Sequence, residues 1–293
     1  MTPELSIVIV NWNTAGLLRA CLESILTDPR DLECEIIVVD NASRDDSVAM
    51  IKKQFSRVKL VENQENLGFA RANNQALRLA QGRFVLLLNS DAEVDGGTGG
   101  KLAALIDFLE ANPAVGVIGP RLQLPNGETQ RSYDLFPLRP WEMLWQKPLD
   151  ALLPPERRPR GLQGITRRGR MLNWPARLQA GAPLEVDWLV GAALLARRQV
   201  IEQVGGLDER FWMYAEDLDW CYRIRQAGWQ IVYLPSVSFL HKQQGSSQAD
   251  PALRQRLNRQ RHASLEEFYR KHFGRLDAWL MHWIAFKQMK ENR

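Results

Sequence analysis

The sequence predicts an α/β protein with a doubly wound, mostly parallel sheet flanked by helices and a C-terminal helical tail. Short apolar runs alternate with helical patterns from residue 6 to residue 118. These runs lack polar alternation, which is typical of parallel strands covered by helices on both faces. From Pro251 onwards, apolar residues recur at three- and four-residue spacing, as in amphipathic helices.

The first elements form a βαβ unit. Residues 6–10 and 35–39 are apolar, β-branched runs, and a helical pattern lies between them. That pattern places Leu18, Leu22 and Ile25 on one stripe and follows Thr14, a candidate N-cap. Strand, helix and strand within about 35 residues favour a parallel sheet.

The alternation continues beyond this unit. Helices are predicted at 47–55, 70–80 and 100–111, and strands at 59–62, 84–88 and 115–118. Regular patterns resume at 186–196 and run to a last strand at 231–240. Open sheets of this type bind ligands at the carboxyl ends of their strands.

Two segments depart from this pattern. Between residues 133 and 183, periodicity fails and Pro, Arg and Gly accumulate, which predicts a long mobile basic insertion rather than a core element. We therefore predict a catalytic domain over 1–248 that contains this insertion. Residues 249–293 are predicted to form an amphipathic helical extension.

Composition excludes several classes of protein. With 45% hydrophobic and 25% charged residues in 293, the chain is neither collagen-like nor disordered. The three cysteines show no C-x-x-C spacing, which argues against a disulfide framework or a zinc site. The N-terminus lacks a basic region typical of signal peptides, and the longest uncharged apolar runs are far shorter than the about 20 residues of a spanning helix. These features favour a cytoplasmic location.

Charge is unevenly placed although the net charge is only +4. Basic residues exceed acidic ones in residues 139–177 and again in 252–293, so the rest of the chain is acidic. No finger, helix-turn-helix or RNA-binding signature accompanies the basic segments, and no nucleic-acid partner is expected. An anionic membrane surface is the alternative partner, which would make the protein peripheral on the cytoplasmic face of the inner membrane.

Polar residues follow the predicted strands where a nucleotide would bind. Asn11 and Asn13 follow the first strand, Asp40 ends the second, and Asn89, Ser90 and Asp91 follow the strand at 84–88. A carboxylate at such a position can accept hydrogen bonds from a pyrimidine imide or from ribose hydroxyls. Asp is also favoured at helix caps and turns, which is the alternative explanation for each acid.

These motifs, taken in order, resemble the family 2 inverting glycosyltransferases, which have the GT-A fold. The resemblance spans about residues 5–245 and is most similar to the bacterial rhamnosyltransferase branch. It is carried by Ser-Ile-Val-Ile-Val-Asn-Trp-Asn, Val-Val-Asp-Asn-Ala-Ser, Asn-Leu-Gly-Phe-Ala-Arg-Ala-Asn-Asn, Leu-Leu-Leu-Asn-Ser-Asp-Ala and Ala-Glu-Asp-Leu-Asp-Trp.

The resemblance implies a GT-A-like fold and inverting hexosyl transfer from a nucleotide-diphosphate sugar, with dTDP-rhamnose the best match. The implied acceptor is a cell-envelope or lipid-linked glycan. Asp40 matches the family acid that contacts the base. The implied nucleotide-sugar-binding residues are Val10, Asn11, Asn13, Asp40, Asn66, Gly68, Asn73 and Ser90.

The resemblance also implies a metal site for Mg²⁺ or Mn²⁺. Asp91 matches the last acid of the family's D-x-D motif, whereas Asn89 stands where the first acid is usual. An amide oxygen is still a hard ligand but removes one negative charge, which weakens the expected affinity. His241 lies where a family histidine can complete the site, although a lone histidine is often structural. Lys242 and residues 245–247 are alternative contacts for phosphate.

Asp217 aligns with the family's catalytic base, and Glu216 precedes it. A carboxylate there can take the proton of the attacking acceptor hydroxyl. On a helix, Glu216 and Asp219 are expected to share a face while Asp217 points elsewhere. Three acids in four residues are also typical of a first turn that interacts with the helix dipole.

The tail has two interpretations. Apolar and aromatic residues between Leu265 and Ile284 form a stripe that includes Trp279 and Trp283. A helix pair packed on the catalytic domain explains it, and so does an interfacial helix on anionic lipid, with the Arg-rich segment 157–170 contacting phosphates.

Two rival functions remain: a nucleotidyltransferase, whose usual cationic loop after the first strand is missing, and a non-catalytic membrane-surface adaptor, against which the retained acids argue.

Overall fold

The computed structural model describes residues 3–27, 32–94, 100–243 and 251–291, with side chains in the last range described from 255 to 284. The strands are β1 (Leu5–Asn11), β2 (Cys34–Asp40), β3 (Lys59–Glu62), β4 (Phe84–Asn89), β5 (Ala92–Glu93), β6 (Val115–Gln123), β7 (Thr129–Gln130), β8 (Tyr133–Asp134), β9 (Leu184–Val186), β10 (Trp188–Leu189), β11 (Ala193–Arg197) and β12 (Gln230–His241).

Helices lie on both faces of the sheet, and two further helices form the C-terminal end of the chain. They are α1 (Ala15–Leu26), α2 (Ser47–Gln54), α3 (Phe69–Leu79), α4 (Lys101–Ala111), α5 (Pro140–Leu152), α6 (Arg167–Arg170), α7 (Trp174–Gln179), α8 (Arg198–Val204), α9 (Glu216–Gln226), α10 (Pro251–Phe273) and α11 (Arg275–Glu291). Among the described residues, no helix combines the length and the apolar character that a membrane span requires.

The main sheet has the order β3-β2-β1-β4-β11-β6-β12-β5, with β7 and β9 paired to β6 and β12. Strands β3, β2, β1 and β4 are parallel, as are β6 and β12, whereas β11 runs antiparallel between β4 and β6. The predicted mostly parallel sheet flanked by helices is therefore confirmed. The regular pattern that resumes at 186–196 corresponds to the end of β9, to β10 and to most of β11.

Alternating strand residues supply two hydrophobic cores on opposite faces of the sheet. Ile7 and Leu86 belong to the core beneath α1, α2 and α4. Val8 and Leu87 belong to the core that includes residues of α3, α8 and α9. Because successive side chains of a strand point to opposite faces, fully apolar strands are needed to fill both cores.

The region 133–183 differs from the prediction. It contains β8, α5, α6, α7 and two 3₁₀ turns, and it contributes Leu135 and Trp174 to a buried core. Pro140 occupies the first turn of α5, where the missing amide proton is not needed, and Pro148 lies inside that helix. These prolines broke the sequence pattern without abolishing the helix, so the prediction of no core element here was wrong.

The tail folds back as two helices. Gly274, with φ of +94°, separates α10 from α11. Phe268 and Tyr269 are buried against Phe211 and Leu218, as the packing interpretation expects, whereas Trp279 and Trp283 are exposed, as the interfacial one expects. The predicted boundary at 248/249 lies outside the described residues and stays a prediction.

Candidate active site

The carboxyl ends of β1, β2 and β4 meet at one edge of the sheet. Asn11 is in register with Asp40, and Val10 with Asn89. Strand β11 is antiparallel, so its beginning lies at the same edge, and the Asn89 amide donates to the Ala192 carbonyl at 2.9 Å. Residues that are distant in the sequence are thereby brought together.

A cavity of about 300 Å³ lies at this edge. Seven predicted site residues line it, from both halves of the chain. They are Val10, Asn66, Asn89, Ser90, Asp91, Glu216 and Asp217. Its other walls are Trp12, Thr14, Asn41, Phe69, Val190, Gly191, Ala192, Met213 and Tyr214.

Three predicted nucleotide-sugar contacts lie beneath the cavity surface. Asn11 is fully buried and donates to Asp40 Oδ1 at 2.9 Å, while the Ser43 amide donates to Asp40 Oδ2. Asn73 is also buried and donates to the Phe69 carbonyl. These hydrogen bonds fix the strand ends and the start of α3, and the predicted contact of Asp40 with the base stays a prediction.

Asn13 lies in a neighbouring depression lined also by Trp12, Ser43 and Arg44. Its backbone has a positive φ of 54°, and its side-chain oxygen accepts from the Arg44 amide at 2.7 Å. Trp12 and Asn66 line both this depression and the cavity. The depression and the cavity are therefore adjacent, and different parts of one extended ligand could occupy them.

Asn41 organises the loop before α3. Its side chain donates to Asn66 Oδ1 at 3.0 Å and accepts from the Leu67 amide at 3.1 Å. Asn66 Oδ1 also accepts from the Gly68 amide. Asn41 was not predicted as a site residue, although it stands beside Asp40 in the Val-Val-Asp-Asn motif that identified the strand end.

Gly68 permits a close approach between two distant segments. Its φ is +84°, and a Cβ there would lie 2.5 Å from the Trp212 carbonyl oxygen. The Phe69 amide donates to that same oxygen at 2.9 Å. The segment that leads into α9 is thus held against the beginning of α3.

Asp217 and Glu216 begin helix α9 directly after a strained turn. Tyr214 and Ala215 have φ values of 68° and 62°, a conformation that costs about 1–3 kcal/mol for a non-glycine residue and persists only where the surroundings enforce it. Asp217 accepts from the Gly191 amide at 2.9 Å and from the Leu218 amide at 2.8 Å. The turn and these bonds fix the carboxylate at the cavity wall.

Both carboxyl groups are harder to ionise than usual. Burial raises the pKa of Asp217, although the hydrogen bonds from Gly191 and Leu218 oppose the shift. Burial, and secondly the charge of Asp217, raise the pKa of Glu216 well above its usual range. Glu216 Oε2 is buried without a hydrogen-bond partner. A carboxylate with a raised pKa is a stronger base once it is ionised.

Asp219 serves a different purpose from its two neighbours. It is fully buried and accepts from Lys271 Nζ at 2.5 Å, His272 Nε2 at 2.7 Å and Arg223 Nε at 2.9 Å. Although Glu216 and Asp219 are spaced i, i+3, Glu216 lines the cavity with Asp217 while Asp219 contacts α10. The two side chains therefore have different surroundings, and their spacing alone did not indicate which of them lines the cavity.

Two predicted metal ligands, Asn89 and Asp91, line the cavity, and the third, His241, lies beside Asp91. His241 Nε2 is 3.2 Å from Asp91 Oδ1, and His241 Nδ1 lies 2.6 Å from Gln130 Oε1. His241 pairs with Ala92 in the β12–β5 ladder, which explains why it reaches Asp91 from far along the chain. Within the described part of the chain, no group of three or more His, Cys, Asp or Glu side chains is placed to hold a metal.

The alternative phosphate contacts are resolved only in part. Lys242 makes an ion pair with Glu93. Residues 245–247 lie outside the described residues. Among the insertion's arginines, Arg158 pairs with Asp150, Arg167 with Asp134, Arg168 with Glu156 and Arg170 with Asp187. These four arginines are paired with acids of the chain, and the expectation that the segment 157–170 contacts phosphates stays a prediction.

Strand ends that carry acids and amides, an antiparallel strand at the same edge and a buried carboxylate in the same cavity fit a glycosyltransferase of the GT-A type. The chain belongs to glycosyl transferase family 2, whose model matches residues 6–168. The resemblance drawn from the motifs is thereby confirmed, and so is the prediction of an enzyme.

Relatives agree with this assignment. The chain is 30% identical over 263 residues to N-acetylglucosaminyl-diphospho-decaprenol L-rhamnosyltransferase of Mycobacterium tuberculosis, covering 86% of this chain and 80% of that protein. It is 26% identical over 256 residues to the O-antigen biosynthesis protein RfbC of Myxococcus xanthus, covering 85% of this chain and 18% of that protein.

Solved structures support the fold. A mannosyltransferase of Pyrobaculum calidifontis in complex with GDP-Man and Mn²⁺ matches with a TM-score of 0.57 at 19% identity, over 98% of this chain and 70% of that chain. S. aureus TarS in complex with UDP matches with a TM-score of 0.54 at 16% identity, over 92% of this chain and 72% of that chain.

Proposed function

We propose that the protein transfers a hexose, with inversion, from a nucleotide-diphosphate sugar to a hydroxyl of a lipid-linked glycan, and that the donor is dTDP-rhamnose. The observation that carries the proposal is the cavity itself. It brings Asp217, held by two backbone amides, together with Asn89, Ser90 and Asp91. The rhamnosyltransferase relative, named for a lipid-linked N-acetylglucosamine, supports the choice of donor and acceptor.

Asp217 is the base in this mechanism. The acceptor hydroxyl attacks the anomeric carbon, its proton passes to the Asp217 carboxylate, and the nucleotide diphosphate leaves with the electron pair of the broken bond. Attack from the face opposite the leaving group inverts the configuration. Glu216, buried beside Asp217, raises the basicity of the pair because two neighbouring carboxylates resist ionising together.

The residues near Asp91 fit a divalent cation. His241 Nε2 is buried, makes no hydrogen bond and lies beside Asp91, while the contact of Nδ1 with Gln130 leaves Nε2 available as a ligand. With Asn89 at the same wall, Asp91 and His241 would hold Mg²⁺ or Mn²⁺, which suit oxygen ligands with an occasional imidazole. A bound cation neutralises charge on the departing diphosphate.

The nucleotide-binding part is proposed to extend from the cavity into the depression at Asn13. Val10, Asn66 and Ser90 face the cavity, and Gly68 and Asn73 shape the loop and helix start beside it. Asn11 and Asp40 form the polar layer below. In this arrangement the predicted binding residues act in two groups, one facing the ligand and one fixing the backbone that faces it.

The test combines product analysis with one variant. Purified protein, dTDP-rhamnose and a polyprenyl diphosphate-linked N-acetylglucosamine should yield a product whose anomeric configuration, measured by NMR, is inverted. Asp217→Asn should lower turnover by about 10² to 10⁴ while donor binding, followed by thermal shift, stays nearly unchanged. Retention of configuration would overturn the inverting mechanism, and near-normal turnover of the variant would exclude Asp217 as the base.

A donor panel tests the sugar nucleotide separately. Under the same conditions, dTDP-rhamnose should support faster transfer than UDP-N-acetylglucosamine or GDP-mannose. Faster transfer from either competitor would replace the proposed donor without affecting the proposed reaction.

A further inference from the structure

Exposed apolar side chains are concentrated in two segments of the molecule. Among the described side chains, fourteen large apolar ones are exposed, and ten of these lie in residues 141–165 and 276–283. Scattered exposed apolar residues are normal on a soluble protein, but a concentration of them marks a surface that contacts another phase or molecule. The remaining four are spread over the catalytic domain.

Helix α5 turns its apolar stripe away from the protein. Trp141, Leu144, Trp145 and Leu152 share one helical face by their spacing, and Leu144 and Leu152 are 78% and 85% exposed. The polar Gln146 is buried instead and accepts from the Arg167 amide. This arrangement is the reverse of a helix that packs on a core, so packing does not explain the apolar stripe.

Helix α11 also exposes an apolar face. Leu276, Trp279 and Trp283 lie three and four residues apart, and the two tryptophans are 61% and 62% exposed. The opposite side of the helix is anchored, since Asp277 and Ala278 are buried. The tail therefore uses one face to pack on the protein and leaves the aromatic face uncovered.

The two helices meet at their N-terminal ends. Arg139, at the start of α5, lies 2.6 Å from Asp277 in α11, and its guanidinium lies over the rings of Trp141 and Phe273. The Tyr269 hydroxyl donates to the Leu138 carbonyl at 2.7 Å, which ties α10 to the same point. The insertion and the tail are thus joined at the N-terminal ends of α5 and α11.

Cations flank the apolar stripes. Lys147, Arg157 and Arg160 are exposed on and after α5, and Arg275 is exposed at the start of α11. Tryptophan beside lysine and arginine is the combination favoured at the boundary between lipid headgroups and acyl chains. Anionic headgroups complement this charge.

We propose that α5 and α11 together form a docking face for an anionic lipid bilayer. The helices lie in the headgroup region, with the four tryptophans inserted and the flanking cations at the phosphates. The inference rests on the proposed function for its purpose, because a lipid-linked acceptor presents its sugar just above such a surface. The new element is α5: the insertion supplies half of the face, and the tail does not bind alone.

Vesicle sedimentation tests the proposal with three double variants. The full-length protein should bind vesicles of phosphatidylglycerol and phosphatidylcholine, bind phosphatidylcholine alone more weakly, and be released as salt is raised. Trp141→Ser with Trp145→Ser, and separately Trp279→Ser with Trp283→Ser, should each lower partitioning by about tenfold or more. The control, Leu26→Ser with Leu79→Ser, removes two exposed apolar side chains far from the face and should bind like the wild type.

The outcomes separate the docking face from the enzyme activity. Urea unfolding shows whether each variant is folded, and transfer to a water-soluble, short-chain acceptor should be equal in all of them. If the α5 variant binds vesicles like the wild type, α5 is not part of the face and the proposal is overturned. A protein that ignores vesicles, but forms a dimer abolished by the same variants in sedimentation velocity, also overturns it. Vesicle binding without transfer to any acceptor would leave the docking face standing and reject the proposed function.

Discussion

Replacing Gly68 with alanine should separate two destabilising effects, backbone strain and steric overlap, that usually occur together. Gly68 and Gly205 have nearly the same backbone conformation, with φ and ψ of 84° and 172° at Gly68 and 78° and 179° at Gly205. At Gly205 an added Cβ meets nothing within 4 Å, whereas at Gly68 it would lie 2.5 Å from Trp212 Cδ1 and from its carbonyl oxygen. Gly205→Ala is therefore a matched control for backbone strain.

The expected magnitudes follow from these contacts. Both variants carry the backbone cost, about 1–3 kcal/mol in a region that L-residues rarely adopt. Gly68→Ala adds the cost of forcing a methyl group into a filled space, about 1–3 kcal/mol. Its free energy of unfolding should therefore fall by about 2–6 kcal/mol, and that of Gly205→Ala by about half as much.

Turnover should distinguish the variants more clearly than stability. The carbonyl that the new methyl group pushes on belongs to Trp212, five residues before Asp217, and displacing it moves the segment that carries this proposed base. A shift of about 1 Å at reacting groups costs about 10²-fold in rate, so Gly68→Ala should be slowed by about that factor while Gly205→Ala stays near normal. Urea unfolding and initial-rate assays measure the two effects. Equal losses of stability and rate in both variants would refute the role assigned to the Trp212 contact.

Three further outcomes are expected. Glu216→Gln should raise the free energy of unfolding at pH 8 but not near pH 4. The raised pKa of Glu216 makes its ionised form destabilising, and that form is present only as pH rises. A gain in stability that is independent of pH would contradict this explanation. Asp219→Asn should lower the free energy of unfolding by about 3–5 kcal/mol at neutral pH. The loss should be smaller in acid, because His272, Lys271 and Arg223 lower the pKa of Asp219 against the opposing effect of burial. Urea titrations at several pH values measure the loss and its pH dependence. Asn89→Asp should tighten Mn²⁺ binding in calorimetry by adding a charge at the cavity wall, and unchanged affinity would place Asn89 outside the metal site.

The sheet could be predicted because each strand is recognisable from a short run of the sequence. Apolar β-branched runs such as residues 6–10 define strands without reference to the rest of the chain, and parallel strands place their carboxyl ends together. The polar residues after β1, β2 and β4 were therefore located correctly at one edge. Their division into cavity residues and a buried layer, seen at Asn11 and Asp40, depends on side-chain direction and was not predictable.

Contacts between distant segments were beyond such reasoning. Nothing near Asp219 in the sequence indicates that Lys271 and His272 neutralise it, because that pairing exists only once α10 packs against α9. Helix α5 was missed for a different reason. The helical spacing of Trp141, Leu144, Trp145 and Leu152 is short and is obscured by the prolines in and around it, and a stripe that faces outwards gives no signal of a core.

The burial of Asp219 also has a consequence for protein synthesis. When α9 has emerged from the ribosome, Lys271 and His272 have not yet been made, and Asp219 has only Arg223 of its own helix as a charged partner. The contacts that hold α9, with Asp217 two residues before Asp219, are therefore complete only after α10 has emerged and docked. A nascent chain that pauses earlier has complete parallel strands but lacks two of the three partners of Asp219, so we expect the surroundings of Asp217 to become fixed late in translation rather than as soon as the sheet has folded.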